Sequence, residues 1–284
     1  MFGKGVMKPI PLQTASQVVL GAILFAWLSM LPVMFLSGIS LNIASLKDLA
    51  VILSGLAPFL IYSTWRRMAV VPEALLCVAA VLALAVPILI WTYAAMRINI
   101  PLADQRLAQM DEALGFDWVA FIAFVDARPL LANALAHAYS SFAYQLLVLP
   151  PLLALFGLST RACAMIMAYM LACLLSSAIG IWYPALGTYA TYDVSQENLS
   201  NINIWFGYFF IEQFETVRST APFELVLDQS AGILTFPSVH AAVAVICAWA
   251  AWEVKALRYP FALLNLLMGV SAVSHGSHYL IDIV

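Results

Sequence analysis

Residues 73–96 read EALLCVAAVLALAVPILIWTYAAM, twenty-four positions in which Glu73 is the only charge. Wound as a helix, a run of that length and polarity covers the roughly 30 Å of hydrocarbon in a bilayer. Six more such runs lie at 17–38, 47–65, 129–157, 161–184, 238–256 and 258–275. The sequence therefore predicts an all-α, polytopic transmembrane bundle of seven complete spans. An eighth span begins at Ser277, and the eight residues from there to Val284 cannot cross a bilayer; the expectation is a longer natural chain.

Composition agrees. The chain is 64% hydrophobic and 10% charged, where soluble domains carry about a quarter charged residues. The first run follows Lys4 and Lys8 as a signal peptide would. It is too long for a signal core and lacks a small-x-small cleavage site, so an uncleaved span is expected. The four cysteines fall inside predicted spans and read as small apolar packing residues. Net charge is −3 and no basic patch exists, which argues against nucleic acid as a partner.

Two connecting stretches are long. Residues 97–128 hold Pro101-Leu102-Ala103-Asp104, then Leu107, Met110 and Leu114 at three-to-four spacing. That pattern predicts an amphipathic interfacial helix with Asp104 as its N-cap. Residues 185–236 are acidic and aromatic, and a helix over 203–217 is expected to roof whatever site lies beneath. Its run Trp205-Phe206-Gly207-Tyr208-Phe209-Phe210 is either an interfacial belt or a substrate clamp. Prolines 32, 58, 87, 150 and 151 interrupt spans, which kinked helices tolerate. The chain divides into N-terminal spans, 1–96, and a membrane domain, 97–284, that holds every candidate catalytic residue.

With the amino terminus in the cytoplasm, seven cations lie inside (Lys4, Lys8, Arg66, Arg67, Arg161, Lys255, Arg258) and five outside, where thirteen carboxylates gather. Positive charge inside is the usual bias. This orientation puts His240, at the start of 238–256, and His278 and Asp282, after 258–275, on one extracytoplasmic face.

Polar residues at such positions are costly and usually functional. Phosphoryl transfer needs a nucleophile in line with phosphorus, a proton donor for the leaving oxygen, and donors around the equatorial oxygens. His278 is the candidate nucleophile, oriented by Asp282 one helical turn on. His240 is the candidate acid and base, since imidazole titrates near neutrality. Pro237 and Ser238 predict a helix start whose free amides and hydroxyl bind an anion. Arg218 and His275 are the candidate phosphate-binding cations. His137, Ser140, Ser141 and Gln145 either line a head-group cavity or hydrogen-bond between helices. No ligand cluster for a metal is present, and no cofactor is expected.

Pro237-Ser238-x-His240 with His278-Tyr279-x-x-Asp282 resembles the second and third motifs of the type 2 phosphatidic acid phosphatase superfamily. The Phe-Pro-Ser-x-His lead-in and the His-Tyr-x-x-Asp string resemble most closely its inositol phosphorylceramide synthase-like branch. The stretch 101–118 is similar to bacterial members. The resemblance, over about residues 100–284, implies a core of six helices, a covalent phosphohistidine at His278 and no metal; the expected location is a bacterial inner membrane, with the site on its extracytoplasmic face. Two positions depart from the pattern: Ala272 stands where the third motif carries arginine, and Ile211 where the first motif's lysine falls if Arg218 is that motif's arginine. The expected function is metal-independent hydrolysis or transfer of a lipid phosphate. Transfer to an alcohol such as inositol, and a non-enzymatic carrier, are the alternatives.

Overall fold

The computed structural model describes residues 12–219 and 221–283; Lys4 and Lys8 of the charge count lie outside them. The helices are α1 (Leu12–Ser37), α2 (Lys47–Trp65), α3 (Val71–Arg97), α4 (Asp104–Ala113), α5 (Trp118–Asp126), α6 (Pro129–Leu155), α7 (Ser159–Gly180), α8 (Thr188–Thr191), α9 (Trp205–Tyr208), α10 (Ile211–Arg218), α11 (Val239–Ala251) and α12 (Lys255–Ser274). Strands β1 (Ile39–Leu41) and β2 (Phe223–Leu225) form a short parallel pair.

The all-α multi-pass reading holds. Among the described residues six helices, α1, α2, α3, α6, α7 and α12, are long and apolar enough to cross a membrane. The expected full span over 238–256 is corrected. Ser238 caps α11 at one end and the chain turns at Trp252, which leaves 13 residues, about 20 Å of helix. Hydropathy continues through that turn, so composition alone overstates the helix. Prolines 32, 58, 87, 150 and 151 sit inside helices that run on past them.

The centre of the bundle is α3, which packs on α1, α6 and α7, while α11 and α12 form a hairpin against α6 and α7. Small buried residues such as Ala80, Ala138, Ala162 and Ala244 let these backbones approach. On α2 only Ser63 is buried, and Phe59 is 66% exposed, as suits a helix facing lipid.

The described residues of 185–219 and 221–236 form a cover, not the single expected helix over 203–217. It holds α9 and α10, broken at Phe209 and Phe210, and is tied down by polar side chains from below. Arg97 donates to the carbonyls of Ser37, Val217, Ser219 and Ala221. The Asp126 carboxylate accepts the N–H groups of Ser200, Asn201 and Ile202 at 2.8–3.1 Å. Burial alone would raise the Asp126 carboxyl, but those three donors hold it below its ordinary value.

Asp104 is not the N-cap of α4. Ala103 is, without a side-chain cap. The Asp104 carboxylate instead accepts Leu186 N–H at 3.0 Å, Gly187 N–H at 2.8 Å and the Tyr279 hydroxyl at 2.8 Å. A longer-range set of donors outcompetes the local cap.

Gly187 has φ +93° and ψ 176°, a region essentially open only to glycine, and a Cβ there would strike the carbonyl of Ser277. Gly187→Ala is expected to destabilise the protein by about 1–3 kcal/mol. A thermal melt in detergent checks this; an unchanged midpoint would show that the contact does not constrain the cover.

Candidate active site

Ser238 joins the two histidine motifs. Its Oγ caps α11 by accepting Ala241 N–H at 3.3 Å, and its own N–H donates to the carbonyl of Asp282 at 3.2 Å. The same Oγ lies 3.2 Å from His278 Nε2. On the other side of that ring, Nδ1 is 3.1 Å from Asp282 Oδ2. An ionised carboxylate only accepts, so Nδ1 carries the proton and Nε2 offers its lone pair. The Ser238 hydroxyl then donates to Nε2 while accepting from Ala241.

Asp282 does not reach His278 through a regular α-turn, as the sequence suggested. After His275 the chain leaves the helix: Ser277 has φ +61°, Tyr279 is extended, and 280–282 form a 3₁₀ turn. The Asp282 carboxylate folds back to accept Tyr279 N–H at 3.0 Å as well as the imidazole. This irregular backbone is met by acids from α4. Asp111, fully buried, accepts Leu280 N–H at 2.7 Å and Ile281 N–H at 2.8 Å. Burial pushes the Asp111 carboxyl above its ordinary value, and the two backbone donors pull it part of the way down.

His240 projects from the first turn of α11 toward His278, with ring centroids 6.3 Å apart. Tyr139 of α6 stacks on its face at 4.2 Å and 6°, and Phe142 packs at 4.3 Å. Both histidines line a cavity of ≈ 510 Å³ walled by Tyr139, Phe206, Phe209 and Phe210 among others. The aromatic run of the cover thus contributes wall, while Trp205 stays half exposed.

The structure brings together His240, His278, Asp282 and Ser238. It does not bring Arg218 or His275 to this cavity. Arg218 donates to the carbonyls of Met96 and Ile100 and lies over Phe214. His275 Nδ1 lies 2.9 Å from Ser274 Oγ and its buried Nε2 has no partner. Among the described residues no arginine or lysine lines the cavity. In α6, Ser140 reaches it, whereas Gln145 hydrogen-bonds Asn265 of α12 at 2.8 Å. His137 is exposed. Among the described residues no group of three or more His, Cys, Asp or Glu side chains is placed to hold a metal ion.

A family model described as the PAP2 superfamily matches residues 105–284. The chain belongs to the PAP2 superfamily. Comparison with curated proteins gave no match, and comparison with solved structures gave none. PAP2 members are phosphatases and phosphotransferases, and both motif histidines of this PAP2 chain lie within the matched residues.

Sequence reasoning missed three supports of this site. Tyr139 gave no signal, being one aromatic residue in an apolar span. Asp104 and Asp111 did: two acids seven apart share a helix face, next to apolar Leu107. Gly276, between the two histidines, is the third. A Cβ there would lie 2.6 Å from Tyr139 Cε2. Gly276→Ala is expected to push Tyr139 off His240 and lower turnover by about tenfold or more, as displacing a catalytic group by about 1 Å does. Turnover of the folded variant against a lipid phosphate measures this, and wild-type rates would refute the positioning role.

Proposed function

We propose that this PAP2 protein is a lipid phosphate phosphatase or phosphotransferase working through a phosphohistidine on His278. The observation that carries the reading is the relay Asp282 to His278 to Ser238, facing His240 across one cavity. With Nδ1 held by Asp282, the Nε2 lone pair attacks phosphorus as the ester oxygen departs in line. His240 donates a proton to that oxygen. The resulting neutral imidazole then takes a proton from the incoming water or alcohol, whose oxygen displaces Nε2 and regenerates His278. Ser238 guards Nε2 in the resting state, and its hydroxyl is free to turn to a phosphate oxygen once substrate arrives. The first-turn N–H groups of α11 lack intrahelical acceptors and offer further donors to the phosphate.

The apolar, aromatic walls suit the body of an amphiphilic lipid. The charge asymmetry of the loops supports a site on the extracytoplasmic face, and the similarity of 101–118 to bacterial members supports an inner membrane. Water as acceptor makes a phosphatase; an alcohol makes a transferase of the inositol phosphorylceramide synthase-like kind, which the Phe-Pro-Ser-x-His lead-in favours. Arg218 and His275 retain a role at the phosphate only if substrate draws them from their present partners.

His278→Ala, His240→Ala and Asp282→Asn are each expected to abolish turnover, with losses on the order of 10²- to 10⁴-fold for the proton-transfer residue His240. Activity is expected to survive chelator. Labelled substrate should leave an acid-labile phosphoenzyme in the wild type and none in His278→Ala. Full activity of His278→Ala would end the phosphohistidine reading, whereas transport that survives this substitution would favour the carrier alternative. Comparing phosphate release with labelled-lipid formation, with and without polyols, separates hydrolysis from transfer.

A further inference from the structure

A second cavity of ≈ 720 Å³ lies between α1, α3 and α7 and shares no lining residue with the histidine cavity. Between them stands the α3–α7 contact, where Thr92 Oγ1 and Ser177 Oγ meet at 3.1 Å. Most of the wall is apolar, including Phe25, Val33 and Trp91. At one end stand Arg97 and Arg218, at the close of α3 and of α10, where helix gives way to the loops.

Among the described residues both arginines donate only to main-chain carbonyls, four for Arg97 and two for Arg218. Carbonyls satisfy N–H groups and, at helix C-termini, bring only partial negative charge. Among the described residues the one Lys/Arg–carboxylate ion pair is Arg161–Glu253, which lies elsewhere. Among the described residues neither guanidinium has a carboxylate within ion-pair distance, and Asp104 acts on Arg218 only from farther off, so two positive charges beside an apolar groove remain incompletely matched. A guanidinium carries five N–H donors, so Arg218 keeps donors to spend.

The geometry points to a binding site for one anionic phospholipid, its phosphate on Arg97 and Arg218 and an acyl chain along Phe25, Val33 and Trp91. A soluble anion would meet the charge and leave the apolar wall wet. A neutral lipid would cover the wall and leave the charge unmatched. One molecule with both parts satisfies both, and a phosphodiester matches the planar guanidinium fork. Much of the groove comes from α1 and α3, which precede the PAP2-matched residues 105–284. The rest of it, α7 and Arg218 included, lies within the matched residues, and the groove shares no lining residue with the histidine cavity.

The test is native mass spectrometry of the full chain in neutral detergent, offered phosphatidylglycerol and phosphatidylcholine of identical acyl chains at equal concentration. One phosphatidylglycerol should be retained with a preference of roughly tenfold or more, as two basic side chains supply. Arg218→Gln should erase the preference and Arg218→Lys restore much of it. Ala178→Trp, which fills the groove at an exposed lining position and leaves both arginines, should lose the lipid. His278→Ala should keep it, which separates this site from the catalytic cavity. Excess inorganic phosphate should not displace it. Equal retention of the two lipids, displacement by phosphate alone, or undiminished retention by an Ala178→Trp protein of wild-type melting temperature would each overturn the assignment. If Arg218→Gln does not fold, Ala178→Trp decides the matter.

Discussion

Backbone that leaves the helix within a membrane protein must find its hydrogen-bond partners inside the protein, and residues 275–283 are such backbone. Their partners are few and specific. Asp111 takes the N–H groups of Leu280 and Ile281, Asp282 takes that of Tyr279, and the carbonyl of Asp282 receives Ser238 N–H. Asp104 holds the Tyr279 hydroxyl and, with Gly187, the start of the cover. Leaving any one of these groups buried and unpaired would cost about 1–3 kcal/mol. The fixed loop then sets the angle at which His278 meets Ser238, so the geometry of the site is a consequence of how this short segment is satisfied.

The same economy explains the charges. Arg97 and Arg218 serve as struts that gather carbonyl groups from the end of α3, the turn after α1 and the cover. The histidine cavity is left with imidazoles, a hydroxyl and helix-terminal N–H groups facing aromatic walls. In a low-dielectric pocket such donors act strongly. They also avoid the cost of a desolvated guanidinium. Asp282 Oδ1 is buried beside His278 and has no hydrogen-bond partner among the described residues.

Much of this was legible in the residues. Long uncharged runs name membrane helices because a bilayer offers no other way to satisfy a backbone, and the six spanning helices follow from that. The meeting of His240 with His278 followed from hairpin geometry plus loop charge. Span 238–256 failed because hydropathy cannot see a turn placed among Trp252 and its apolar neighbours. Asp104 failed as a cap because the rule is local, while Leu186, Gly187 and Tyr279 come from far along the chain. Arg218, the lone cation of its loop, looked like a phosphate ligand, and the carbonyls of Met96 and Ile100 were invisible to that argument.

The sequence by itself determined that this is an α-helical membrane protein with two histidines and an aspartate at one end of a hairpin, because span length, charge bias and motif spacing are properties of neighbours in the chain. Only the tertiary structure decided that Ser238 bridges the motifs, that Tyr139 stacks on His240, and that the acids of α4 hold the final segment. Those are pairings between residues tens to well over a hundred positions apart, set by how helices pack and which buried donors lack a partner, and no local pattern encodes them.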